Sequence, residues 1–211
     1  MNPLGSLAGR LATEGVNYAP EIVGAAQKYG LDPTLLAALA AQETGGPGAN
    51  GGQNEVGDGG HGHGLFQIDD RWHDFARTAA AMDPARNADY AAGMLSGLLK
   101  RYGGNVREAL SAYNAGSPTA PGTATTWGDG QTLDYADSVL RHCRQLGAGG
   151  DGVDRLAQTA QTMPQPIPAA GVPRAHHHHH RWRSAEGLDP TGHSSNASMS
   201  YDTYINGDTN Q

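Results

Sequence analysis

Residues 40–46 read AAQETGG, and residues 57–73 read GDGGHGHGLFQIDDRWH. Residues 45–64 hold ten glycines, and each glycine inside a helix or strand costs roughly 0.5–1 kcal/mol relative to alanine. The segment must therefore be loop. A long irregular loop inside a compact domain is more often functional or mobile than not. It divides an apolar helix that ends on one ionisable residue, Glu43, from a short apolar segment, Leu65-Phe66-Gln67-Ile68, with Asp58 before it and Asp69 after it.

Upstream of the loop, Asp32-Pro33 supplies an N-cap followed by proline, which opens a helix over PTLLAALAAQE. Leu35, Leu36, Leu39, Ala40 and Glu43 recur at spacings of three and four, so Glu43 continues the buried stripe. An earlier helix starts near Pro20 and stops at Gly30. Downstream, LFQI has the composition of a short strand or hairpin edge, and Asp69-Asp70 can cap a helix over RWHDFARTAAAM. Asp83-Pro84 starts the longest helix, Asn105 caps VREALSAYNAG, and a last helix covers LDYADSVLRHCRQL. No strand pattern outside the LFQI region is convincing, and the class is mainly α. Residues 1–18 read as a mobile or loosely docked arm, 19–147 as the domain, and 148–211 as a low-complexity tail. The tail, with His176–His180, buries too little apolar surface to offset its ordering and is expected to be largely disordered.

Composition excludes several classes. The chain of 211 residues carries a net charge of −7, which argues against nucleic acid as the main partner. An acidic surface also gives no long-range attraction to an anionic cell wall, so binding there must rest on local contacts. No run approaches a membrane span, and the opening residues lack the charged start and apolar core of a signal peptide. The single cysteine, Cys143, cannot form an intrachain disulfide.

The acids carry the chemistry. Glycosidic cleavage uses one carboxyl kept protonated as an acid, and hydrolysis with inversion uses a second, ionised one to activate water. Glu43, on an apolar face and in a last helical turn, has two reasons to hold a proton, desolvation and the helix dipole. The bland reading is an exposed helix-end glutamate. For Asp69 it is a helix cap, although a cap at Asp70 leaves Asp69 for the site. His61 and His63 hint at a metal, but a glycine-rich pair without a cysteine partner is a weak ligand set. No metal and no cofactor is expected.

These motifs, in this order, resemble the goose-type lysozymes, within the lysozyme-like superfamily that includes the soluble lytic transglycosylases. AAQETGG, GDGGHGHGLFQIDDRWH, ALSAYNAG and LDYADSVL carry the resemblance over about residues 20–147. It implies a lysozyme-like α+β fold, with a small β-hairpin or three-stranded sheet beside the cleft. It implies Glu43 as general acid, with Asp58 and Asp69 holding the attacking water. Gln67 would present its amide to sugar N-acetyl groups, Tyr113 and Asn114 would line the cleft wall, and His73 would hydrogen-bond substrate. Lytic transglycosylases usually keep the glutamate and the GLxQ segment but lack the acid pair, because the substrate's own hydroxyl attacks.

The acid pair tips the expectation towards an inverting muramidase cutting the β-1,4 bond between N-acetylmuramic acid and N-acetylglucosamine in bacterial peptidoglycan glycan strands. The alternatives are a lytic transglycosylase leaving 1,6-anhydro ends, and a non-catalytic wall-binding or structural domain. The tail and the lack of a signal peptide fit a part of a phage tail or secretion machine that delivers the domain to the wall, or a protein that is cytoplasmic before release.

Overall fold

The computed structural model describes residues 3–147. Six helices dominate: α1 (Pro3–Thr13), α2 (Ala19–Lys28), α3 (Pro33–Ala40), α4 (Pro84–Arg101), α5 (Val106–Ala115) and α6 (Tyr135–Gly147). Between α3 and α4 lies a three-stranded antiparallel sheet of β1 (Val56–Gly57), β2 (Gly62–His63) and β3 (Ile68–Asp69), in that spatial order. A second hairpin, β4 (Thr125–Thr126) with β5 (Thr132–Leu133), sits between α5 and α6. The mainly α class with a small three-stranded sheet is the expected one.

The caps form where the sequence places them. Asp32 accepts from Thr34 N at 2.7 Å, Asp83 from Arg86 N at 3.0 Å and Asn105 from Glu108 N at 3.2 Å. Each satisfies a helix-start N–H that has no partner within the helix. Helix α3 is apolar all round, and every residue from Leu35 to Ala41 is buried. It can only be a central helix, and α2 and α6 pack on it while α4 packs on α2 and α5. Alanines at 37, 38, 40 and 41 let these neighbours approach closely.

Three expectations fail. The segment expected as a loose arm is docked over its described residues: α1 seats Leu11 fully buried in the core, Val16 follows it there, and Arg10 Nη1 donates to the Leu146 carbonyl at the end of α6, 2.9 Å away. RWHDFARTAAAM is not one helix but two short 3-10 turns, Asp74–Arg77 and Ala79–Met82. Thr78, extended at φ −102° and ψ 155°, divides them, and Phe75 stacks on Tyr90 of α4 at 4.3 Å, a tertiary contact that overrides local helix preference. Strands also exist beyond LFQI, each two residues long. The tail from 148 to 211, with its histidine run and expected disorder, lies outside the described residues. Among those described, no helix is long and apolar enough to cross a membrane.

Candidate active site around Glu43

After Ala40 the α3 helix widens. Gly46 N bonds the Ala41 carbonyl five residues back, making a π turn over Ala41–Gly45. Such turns recur at functional sites. This one rotates Glu43 out of the fully buried stripe to a half-buried position. Thr44 ties the turn to the glycine loop: its hydroxyl lies 3.1 Å from the Leu65 carbonyl and accepts from Gln53 N at 2.7 Å.

Two buried tyrosines face Glu43. The Tyr135 hydroxyl donates to Glu43 Oε1. Tyr113, 1% exposed, lies close enough to feel the same charge, and its hydroxyl points to the Phe66 carbonyl at 3.5 Å. Burial first, and then the Glu43 charge, hold both phenols well above their usual pKa. Both are therefore neutral at any working pH and act only as hydrogen-bond groups. With 1% of its surface exposed, Tyr113 offers no open ring face to a cleft wall.

Asp58 and Asp69 meet on a third residue. Arg71 Nε donates to both oxygens of Asp69, at 2.9 and 3.0 Å, and Nη2 reaches Asp69 Oδ2 at 2.5 Å. The same Nη2 donates to Asp58 Oδ2. Arg71 N adds a bond to Asp69 Oδ1 at 2.8 Å. Asp69 is fully buried, and Asp58 holds a left-handed φ of 47° that only a few non-glycine residues adopt. The guanidinium thus gathers the two carboxylates into one ionic cluster, and its planar fork suits such pairing.

The remaining candidates brace the site from within. Gln67, at φ 47°, spends its amide N–H groups on the carbonyls of Glu55 at 3.1 Å and Gly64 at 2.9 Å, instead of offering them to an N-acetyl group. Its oxygen lies over β1 and β2, where a Cβ on Gly57 or Gly62 would overlap it. His73 is fully buried, its Nδ1 3.0 Å from the Tyr90 hydroxyl, so it joins the 3-10 turns to α4 and does not reach the surface to meet substrate. Asn114, 4% exposed, accepts from Thr123 N at 2.9 Å and pins the loop after α5.

A family model for the transglycosylase SLT domain matches residues 21–121. This domain belongs to the lysozyme-like superfamily. The SLT domain acts on peptidoglycan, and the match spans Glu43, the glycine loop, the sheet and the ALSAYNAG helix.

Sequence reasoning missed two residues of this site. Tyr135 stands in the LDYADSVL motif, beyond the matched stretch, and nothing in its spacing marks Glu43 as its partner. Arg71 stands in DDRWH and reads alone as a helix residue. A third acid also changes meaning: Asp70 is held by His61 Nδ1 at 2.8 Å and His63 Nε2 at 3.1 Å, which lower its pKa. The GHGHG histidines thus clamp a carboxylate on the β2–β3 edge.

Proposed function

We propose that the domain is a lytic transglycosylase, cleaving the β-1,4 bond between N-acetylmuramic acid and N-acetylglucosamine without water. The observation that carries this reading is the Arg71 cluster. A general base needs a lone pair aimed at its water, whereas both oxygens of Asp69 accept from Arg71, and Asp58 shares the same guanidinium. Glu43 is half-buried and accepts from the neutral Tyr135 hydroxyl, so one carboxyl is left for the chemistry.

One carboxyl is enough. Glu43 gives its proton to the glycosidic oxygen as the muramic C1–O bond breaks, and the departing N-acetylglucosamine keeps it as a hydroxyl. The C6 hydroxyl of the same muramic residue attacks C1 and returns its proton to the Glu43 carboxylate. The products are a free 4-hydroxyl end and a 1,6-anhydro ring, and the enzyme ends as it began. No cofactor enters this scheme.

A second reading stays in view because Asp58 and Asp69 do converge on one point: an inverting muramidase in which they hold a water. Counting reducing ends separates the two. Glycan strands cut by transglycosylation gain no reducing ends, and hydrolysis adds one per cut. A parent protein that shortens strands without new reducing ends, together with an inactive Glu43→Gln variant, supports the proposal. New reducing ends in step with cleavage would replace it with hydrolysis, and unaltered lysis by Glu43→Gln would remove Glu43 from the mechanism. Delivery to the wall by a phage particle or secretion machine is part of the same proposal, supported by the acidic surface that gives the domain no attraction of its own to the wall.

A further inference from the structure

Three helices carry the groups around Glu43, and one loop fastens to all three. From Ser117 to Asp134 the chain leaves α5, makes the β4–β5 hairpin and enters α6. It grips α5 at Asn114, whose Oδ1 accepts from Thr123 N. It grips α6 at Tyr135, whose N donates to the Pro121 carbonyl at 3.0 Å. Gly122 passes between these anchors at φ 64°, where a Cβ would overlap Asn114 Oδ1, so only glycine fits. The third anchor is Gln42, the residue before Glu43.

That third anchor is a ring of three hydrogen bonds, closed by the backbone from Thr125 to Trp127. Trp127 Nε1 donates to Ser138 Oγ at 3.0 Å, Ser138 Oγ donates to Gln42 Oε1 at 2.5 Å, and Gln42 Nε2 donates to Thr125 Oγ1 at 2.9 Å. The ring starts and ends on the hairpin and passes through α6 and the π turn. Its direction is fixed, because an indole N–H can only donate. Ser138 must then accept from it and give its own proton to Gln42, which turns the Gln42 N–H group towards Thr125. Trp127 is 3% exposed although Thr126 and Gly128 beside it are exposed. Arg141 covers its ring at 4.2 Å and also pairs with Asp129 in the hairpin turn at 2.8 Å. A buried side chain at a loop tip, bonded to Ser138 and through it to Gln42 beside Glu43, does more than close a loop.

We propose that Trp127 and Gln42 are positioning residues for the reaction, holding the Glu43 turn in register with Tyr135 through the β4–β5 hairpin. This rests on the transglycosylase reading. A misplaced acid lowers the rate of proton transfer more than it lowers affinity, because only the transition state needs the aligned geometry.

The test uses Trp127→Phe, which keeps an aromatic ring and removes the donor, Gln42→Leu, and the double variant, on soluble uncrosslinked glycan strands. Each single variant is expected to lower kcat by about tenfold with KM within about twofold. The double variant should be no slower than the worse single, because both break one ring. Losses that multiply, or a fall confined to Tm, would overturn the proposal. Should Trp127→Phe fail to fold, Ser138→Ala takes its place in the cycle. Glu43→Gln in parallel keeps two failures apart. If it leaves the parent activity intact, the functional reading falls and this inference with it. If it silences the enzyme while the ring variants run at the parent rate, the positioning claim alone falls.

Discussion

The phenol of Tyr135 donates to Oε1 of Glu43, although 92 residues separate them in the chain. Tyr135 is fully buried and Glu43 half-buried, so the bond is made from the protein side of the site. Tyr135→Phe removes one oxygen and little volume. We expect kcat to fall roughly 10- to 100-fold, the scale of one hydrogen bond to a charged group, with thermal stability nearly unchanged. Steady-state rates on glycan strands beside a melting curve check both halves.

The Arg71 cluster predicts an asymmetry. Arg71→Leu leaves the buried Asp69 carboxylate without its counter-charge and should destabilise the fold by roughly 3 kcal/mol, the low end of the range for a buried pair because Arg71 is partly exposed. Asp58→Asn touches the wetter arm of the cluster and should keep activity within about threefold. If Asp58 holds a catalytic water, the same variant should lose about 100-fold or more. Urea denaturation reads the first effect and strand cleavage the second.

His142 makes stability depend on pH. It is fully buried against Trp127, and burial, then the Arg141 charge, bring its pKa down from 6.5 to about 4. The unfolded chain therefore binds the proton more readily between these values. Its contribution is fully present above pH 6.5 and is lost as pH falls towards 4, by roughly 2–3 kcal/mol. Denaturation curves from about pH 7 to about pH 4.5 should show a steeper decline for the parent than for His142→Leu. Equal slopes would remove His142 from the pH response.

Cys143 should be inert in the folded protein. It is 3% exposed, and burial pushes its thiol up to about 12, so almost no thiolate forms near neutral pH. A chromogenic disulfide reagent should leave the native chain unlabelled and titrate one thiol after denaturation.

What the sequence made legible was whatever is decided locally. The caps at Asp32, Asp83 and Asn105 each act within three residues, so composition reveals them. The all-round apolarity of α3 announces a central helix, and Glu43 at its end stands out as the only charge. Two-residue strands such as Gly62–His63 have no periodicity to read. The docking of α1 depends on a carbonyl at Leu146, and the role of Tyr135 on a carboxyl in the π turn after α3, both far away in the chain. The family resemblance turns Gln67, His73 and Asn114 towards the substrate. Their bonds are instead to Glu55 and Gly64, to Tyr90 and to Thr123, which only the assembled fold reveals.

Cleavage without water is the central claim, and digestion of glycan strands in oxygen-18-labelled water tests it most directly. Mass spectrometry of the fragments should find 1,6-anhydro-muramic ends that carry no label, from the parent and not from Glu43→Gln. Reducing muramic ends carrying one heavy oxygen per cut would contradict the account and assign the attack to water held at Asp58 and Asp69.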